Sequence, residues 1–192
     1  MSRARVLGAL VVGAMALSGC TLVPTSNSPV VISRGSVQYE LLSKTIPGTI
    51  NGRVQFVTQP VYIVDATGHL TPSSRIVPSP PTLDSILHEL VIGPTTIESF
   101  AGYTSALPKD LVILQATIKN GVGYIDLARP LNTLAHNQEV LALGQLVYTA
   151  HAVGAIGGLE ILVAGVAQPL LLPNGHKDLL ISVGDYSSLL NP

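Results

Sequence analysis

Asn120-Gly121 stands between two apolar runs, Leu111 to Ile118 and Val122 to Leu127. Both turn residues tolerate positive φ, so such a pair between apolar runs closes an antiparallel hairpin. That hairpin must be covered, and the pattern on either side supplies two helices. Leu83, Ile86, Leu87, Leu90 and Val91 recur at the spacing of one helical face. Pro81 suits the first turn of that helix, and Gly93-Pro94 suits its end. A second helix is expected from about Asn137 to Val153, with Gly154 as its cap. It is apolar nearly all round, which indicates deep burial.

The remaining strands are read from short apolar runs between turn residues. Val54 to Val57 is a strand candidate, with Pro60 marking an edge or a break. Val61 to Asp65, a turn at Ala66-Thr67-Gly68-His69 and a return from Leu70 to Val77 form another pair. Leu159 to Val163 and Pro169 to Leu172 read as strands joined by a turn at Gly165, with Leu179 to Val183 as a last short strand. The order is therefore ββ-α-ββ-α-ββ. It predicts an α+β fold, with a mostly antiparallel sheet and two helices packed on one face.

The N-terminus carries a different kind of signal. Arg3 and Arg5 precede an apolar run from Val6 to Leu17, too short for a membrane span of ~20 residues but of secretory length. Leu17-Ser18-Gly19-Cys20 resembles a bacterial lipobox, in which the cysteine thiol is lipidated and the preceding residues are removed. Residues 1–19 are thus expected to be a lipoprotein signal peptide, and Cys20 the lipidation site. Residues 20–52 would form the lipidated cysteine, a flexible tether and an N-terminal extension, and residues 53–192 the folded domain. The nine tether residues Thr21 to Pro29 reach at most about 30 Å. The protein is expected at the outer face of the bacterial cytoplasmic membrane, with membrane-proximal partners.

Cys20 is the only cysteine. Once it is acylated, disulfides and cysteine-based metal sites are excluded, and the fold must be held by packing alone. The 47% hydrophobic content allows that. Loss of Arg3 and Arg5 takes Lys+Arg from 10 to 8 against 11 acids. A mildly acidic chain with no Trp and two Phe is a poor partner for nucleic acid.

Catalytic and metal patterns are not found. The five histidines, His69, His88, His136, His151 and His176, have no ligand spacing; His88-Glu89 lacks the second His a zinc helix would need. Gly121-Val122-Gly123 lies between two strands, whereas a dinucleotide loop opens a helix. No G-x-S-x-G elbow is present. Glu98 and Asp126 could do acid-base work only if brought together. As structural residues, Glu98 would cap or charge the helical turn after Pro94, and Asp126 would bond amides in the following loop. Gln145, alone in an apolar helix, must be hydrogen-bonded if buried. No enzyme activity, cofactor or metal is therefore expected.

Four stretches in order resemble one family. Gly93-Pro94-Thr95-Thr96-Ile97-Glu98 is similar to its "GPT..E" signature, and Ser105-Ala106-Leu107-Pro108 to its "SA(I/L)P". Asn120 to Leu127 resembles "dGvatvDLs", and Gln145 to Thr149 resembles "Q(I/L)VyTL". These are marks of the GerMN domain, named for a sporulation and spore-germination protein, over roughly Val61 to Leu190. A lipobox and short tether before one such domain resemble the actinobacterial lipoproteins of this family. The motif residues Gly93, Pro94, Glu98, Pro108, Gly121, Asp126 and Gln145 read as structural. Ala164-Gly165, where Asp-Gly is common, and Ala150, where Leu is usual, depart from the pattern.

The resemblance implies a non-catalytic interaction module in envelope assemblies, some relatives joining a sporulation ring and others a membrane-bound sensor kinase. The leading expectation is a domain that binds another envelope protein or itself, through a sheet edge or a helix face. The alternative is a small-ligand domain that senses a wall fragment. Clustering of Tyr103, Tyr124 and Tyr148 beside polar groups would favour it.

Overall fold

The computed structural model describes residues 49–50 and 53–191. Cys20, the cleavage site and the tether lie outside the described residues. A small ladder pairs Thr49–Ile50 (β1) with Arg53–Val54 (β2). Phe56–Val64 (β3) and Leu70–Pro78 (β4) then form a long antiparallel hairpin, in register from Phe56 opposite Pro78 to Val64 opposite Leu70. Asp65 closes it: its Oδ1 accepts from the amides of Thr67 and His69, at 2.8 and 3.0 Å, and from the Thr67 hydroxyl.

Pro60 lies inside β3 and does not break it; of the two expected readings, the edge is the one found, since β3 pairs with β4 alone. Val64 exchanges backbone hydrogen bonds with Thr104, at 2.9 and 2.7 Å, so its polar groups point away from β4. The two-residue period of a strand carries that direction back to positions 62, 60, 58 and 56. Pro60 therefore lacks a donor only where the ladder needs none. Pro72 and Pro78, opposite Tyr62 and Phe56, sit at the same kind of position.

Leu83–Ile92 (α1) follows, capped by Thr82, whose hydroxyl accepts from Ser85 N while Ser85 Oγ accepts from Thr82 N. The expected apolar face is the buried one, through Leu83, Ile86, Leu87 and Leu90. Gly93 ends the helix at φ 85°. The turn after Pro94 is a short helix, Thr96–Phe100 (α2).

Asn120 and Gly121 have φ of 51° and 78°, and they join Ile113–Lys119 (β5) to Val122–Leu127 (β6). His136–Ala152 (α3) is buried along almost all of its length after the first turn. It leads to Gly158–Val163 (β7), which pairs with β6 in parallel. A parallel neighbour needs a crossover, and α3 is that crossover. Ala164-Gly165 then turns into Val166–Ala167 (β8), which completes a four-stranded mixed sheet in the order β5-β6-β7-β8.

The C-terminal strands differ from the expected pair. The strand paired with β7 across the Gly165 turn is only two residues long. Leu170–Leu171 (β9) leaves that sheet and pairs with Lys177–Asp178 (β10). Leu179 to Val183 contributes one bridge, Ile181 to Leu159, and Val183–Leu189 is a 3-10 helix. The fold is α+β, as expected, with mostly antiparallel pairs; the simple ββ-α-ββ-α-ββ order misses α2, the parallel pair and the split C-terminal strands. α1 and α3 pack on each other and both meet β3, while α3 also meets β7, β9 and the 3-10 helix. The core between them contains Val61, Ile63, Ile86, Leu90, Leu143 and Leu146. Among the described residues no helix is long and apolar enough to cross a membrane.

Candidate functional site

Three of the four family-like stretches meet at two polar nodes. At the first, Thr95 caps α2: its Oγ1 accepts from Glu98 N at 3.3 Å, while Glu98 Oε2 accepts from Thr95 N at 2.6 Å. Arg75, buried on β4, grips the same carboxylate with both guanidinium ends, at 3.0 and 2.8 Å. Its Nη2 also donates to Gly93 O at 3.2 Å. The Ser73 hydroxyl accepts from Arg75 and donates to Glu98. Burial alone would raise the Glu98 pKa, but the hydrogen bonds from Arg75, Ser73 and Thr95 outweigh it and bring the group to about 2. Glu98 therefore caps its own helix and also fastens that helix to β4. Sequence reasoning did not single out Arg75, although it is the only charged residue on either strand of the hairpin.

Fastened in this way, α2 turns its apolar side chains outward. Ile97 is 81% exposed and Phe100 90%, with Ile92 also exposed at the end of α1. A helix of five residues cannot sustain itself by propensity, so the Arg75–Glu98 pair and the caps hold it in place.

The second node is Gln145, fully buried on α3. Its Oε1 accepts from Ala106 N at 2.7 Å, and its Nε2 donates to Tyr62 O at 2.8 Å. Thr149, one helical turn on, accepts from Tyr62 N at 3.0 Å. The Gln145–Thr149 stretch thus binds the Ser105–Pro108 stretch and the outer edge of β3. Asp126 does not bond the loop that follows it. Its Oδ1 accepts from Gly165 N at 3.2 Å, in the β7–β8 turn, because parallel pairing sets Asp126 beside Leu162. Gly121 O accepts from Gly157 N at 2.8 Å and ties the hairpin turn to the start of β7.

Pro108 lines an open cleft of about 380 Å³, floored by Leu111, Pro130, Leu131 and Leu134. An exposed ion pair, Arg129 with Asp110, stands at its rim. The three tyrosines do not cluster. Among the described residues, Tyr148 stacks with Tyr62 at a centroid distance of 5.0 Å and donates to Val183 O at 2.9 Å. Tyr124 lies on β6, with the Lys119 amine 6.0 Å from its ring. Among the described residues no three of His, Cys, Asp and Glu converge as metal ligands. Glu98 and Asp126 are each engaged by separate partners, Arg75 and the Gly165 amide.

The profile of the family described as "Germane: Sporulation and spore germination" matches residues 60–169. The chain belongs to that family. Among solved structures it resembles the tandem GerMN domains of the sporulation protein GerM from Bacillus subtilis, with 16% identity and a TM-score of 0.53, over 67% of this chain and 47% of that one. It also resembles the first GerMN domain of the same protein, with 16% identity and a TM-score of 0.50, over 66% of this chain and 97% of that one. The chain thus spans about half of the tandem structure and nearly all of the single domain. None of the curated proteins matches it.

Proposed function

We propose that this chain is a lipid-anchored, extracytoplasmic GerMN-domain protein that serves as an interaction module in the cell envelope. Cys20 carries the anchor, and α2 presents the docking surface to an envelope protein or to a second copy. The reading rests on one observation: Ile97 and Phe100 are turned to solvent on a helix that the Arg75–Glu98 pair fastens to β4. A monomer gains nothing by clamping two large apolar side chains outward, whereas a docking surface needs preorganised ones. Tethering raises the effective concentration of that surface beside a membrane partner. The family-motif residues are assigned structural roles and no catalytic one: Gly93, Pro94 and Glu98 set and fasten α2, Gln145 ties α3 to β3 and to the Ser105–Pro108 stretch, and Gly121 and Asp126 tie β6 to the two ends of β7.

The test is photocrosslinking in intact cells from a benzophenone side chain placed at Phe100. A single membrane-protein adduct, lost in Ile97→Ser or when Cys20→Ser frees the chain, is the expected result. Adducts with the same chain alone would assign the surface to self-association. Absence of any adduct would remove the docking reading.

The second reading, a binder of small wall-derived ligands, is favoured by the cleft beside Pro108. Its volume is within the range of ligand sites, and its floor is apolar. Saturable binding of a wall fragment, abolished by filling the cleft with Leu134→Trp, would support it.

A further inference from the structure

The β3–β4 hairpin has an uncharged outer face that begins just after β2. Neither strand contains a carboxylate, and their only charge is Arg75. Directly opposed residues on an antiparallel pair share a face. Phe56 faces Pro78, Thr58 faces Ile76, and Pro60 faces Ser74. Phe56 is 60% exposed and Ile76 70%, with Thr58, Ser74 and Pro78 exposed between and beside them. The alternate positions Val61, Arg75 and Val77 point to the other side and are buried. Arg75 spends its charge there on Glu98.

We infer that this face docks on the lipid surface to which the chain is anchored. The inference rests on the lipid anchor proposed above. β2, at the N-terminal side of the domain, ends at Val54, two residues before Phe56, so the exposed apolar end of the hairpin is the end nearest the N-terminal segment that would carry the anchor. A face of Phe56, Ile76, two prolines and two small hydroxyl side chains, with no charge on its strands to desolvate, suits the boundary between headgroups and acyl chains. A protein partner would be served better by charged side chains on the strands themselves, and on this face β3 and β4 supply none. The contact need not be strong, because the anchor makes it intramolecular. Since Arg75 leaves β4 on the opposite side, α2 remains on the hairpin side away from the lipid, available to a partner.

The absence of tryptophan from the chain gives a clean probe. Full-length acylated protein carrying Phe56→Trp is reconstituted in phosphatidylcholine–phosphatidylglycerol vesicles with brominated acyl chains. Emission should be quenched about twofold. Val166→Trp, exposed in the four-stranded sheet, should not be quenched. Ile76→Ser, at an exposed position that tolerates it, should weaken the quenching of Phe56→Trp. Equal emission from the two tryptophan variants, with the N-terminal peptide shown by mass to be acylated, overturns the docking face and leaves the anchor standing. A blue shift that grows with protein concentration without lipid overturns it in favour of a second copy. If the mass shows no acyl chain on Cys20, the anchor reading fails. The face is then judged by cosedimentation of the unanchored chain with vesicles, and no cosedimentation overturns it.

Discussion

Gln145 Nε2, fully buried on α3, donates to the carbonyl oxygen of Tyr62 at 2.8 Å, on the edge of β3 that no other strand pairs with. The same amide accepts from Ala106 N at 2.7 Å, so one side chain serves the outer edge of a hairpin and a loop far from it in sequence. Replacing it with Leu preserves much of the volume but strands a buried donor and a buried acceptor. Gln145→Leu is expected to destabilise the fold by about 2 to 4 kcal/mol. Urea unfolding checks this; a midpoint equal to that of the native chain would show that the node is dispensable.

The Glu98 node carries a pH signature. Its carboxyl, ordinarily near 4.5, is depressed to about 2 in the folded chain. A depressed acid stabilises the fold fully above its unfolded pKa and ceases to do so as pH falls through its folded one. Acidification from 4.5 towards 2 should therefore remove as much as about 3 kcal/mol. Glu98→Gln lacks that contribution at neutral pH. Its stability curve should lie below the native one at pH 7 and approach it near pH 2, as read by thermal unfolding across that range. Parallel curves would mean that the Arg75–Glu98 pair contributes no net stability.

The two nodes differ in how far the sequence announced them. A glutamine in an apolar helix declares its need for partners, and the spacing of Leu83 to Leu90 with Gly93 behind it declares a helix and its end. Which strand lies beside which is written in no local period. The sequence placed Asp126 against its own following loop, whereas parallel pairing through α3 brought the Gly165 turn to it. Pro60 read as an edge or a break because a proline does not show which way its missing donor would point. Arg75 was passed over because its partner lies on another element, and only the folded register brings Glu98 to it.

Gly158 marks a close approach that no local pattern reveals. It has φ 115°, and a Cβ there would stand 2.7 Å from the backbone oxygen of Ile181. Next to it, Leu159 and Ile181 exchange hydrogen bonds at 2.7 and 3.0 Å, holding the C-terminal segment to β7. Gly158→Ala is expected to cost about 2 to 4 kcal/mol, since strain and a backbone clash combine. Gly165→Ala is the comparison: its φ of 79° is also positive, but nothing lies within 4 Å of the added carbon. It should cost only about 1 kcal/mol. Equal midpoints for the two variants in denaturant would remove the contact from the account.

Ile97 and Phe100 separate docking from folding. Both lie on α2, yet neither is buried, and α2 is held through Glu98 and Thr95. Replacing both with Ser removes large apolar surface from water without opening a cavity, and Ser differs little from Ile and Phe in helix propensity. The double variant Ile97→Ser/Phe100→Ser should keep its unfolding free energy within about 0.5 kcal/mol of the native chain. Glu98→Gln, between them, should not. If the double variant instead lost stability on the scale of a core truncation, the two side chains would be packing residues. α2 would then be part of the core's cover, and the docking surface would have to be sought elsewhere on the domain.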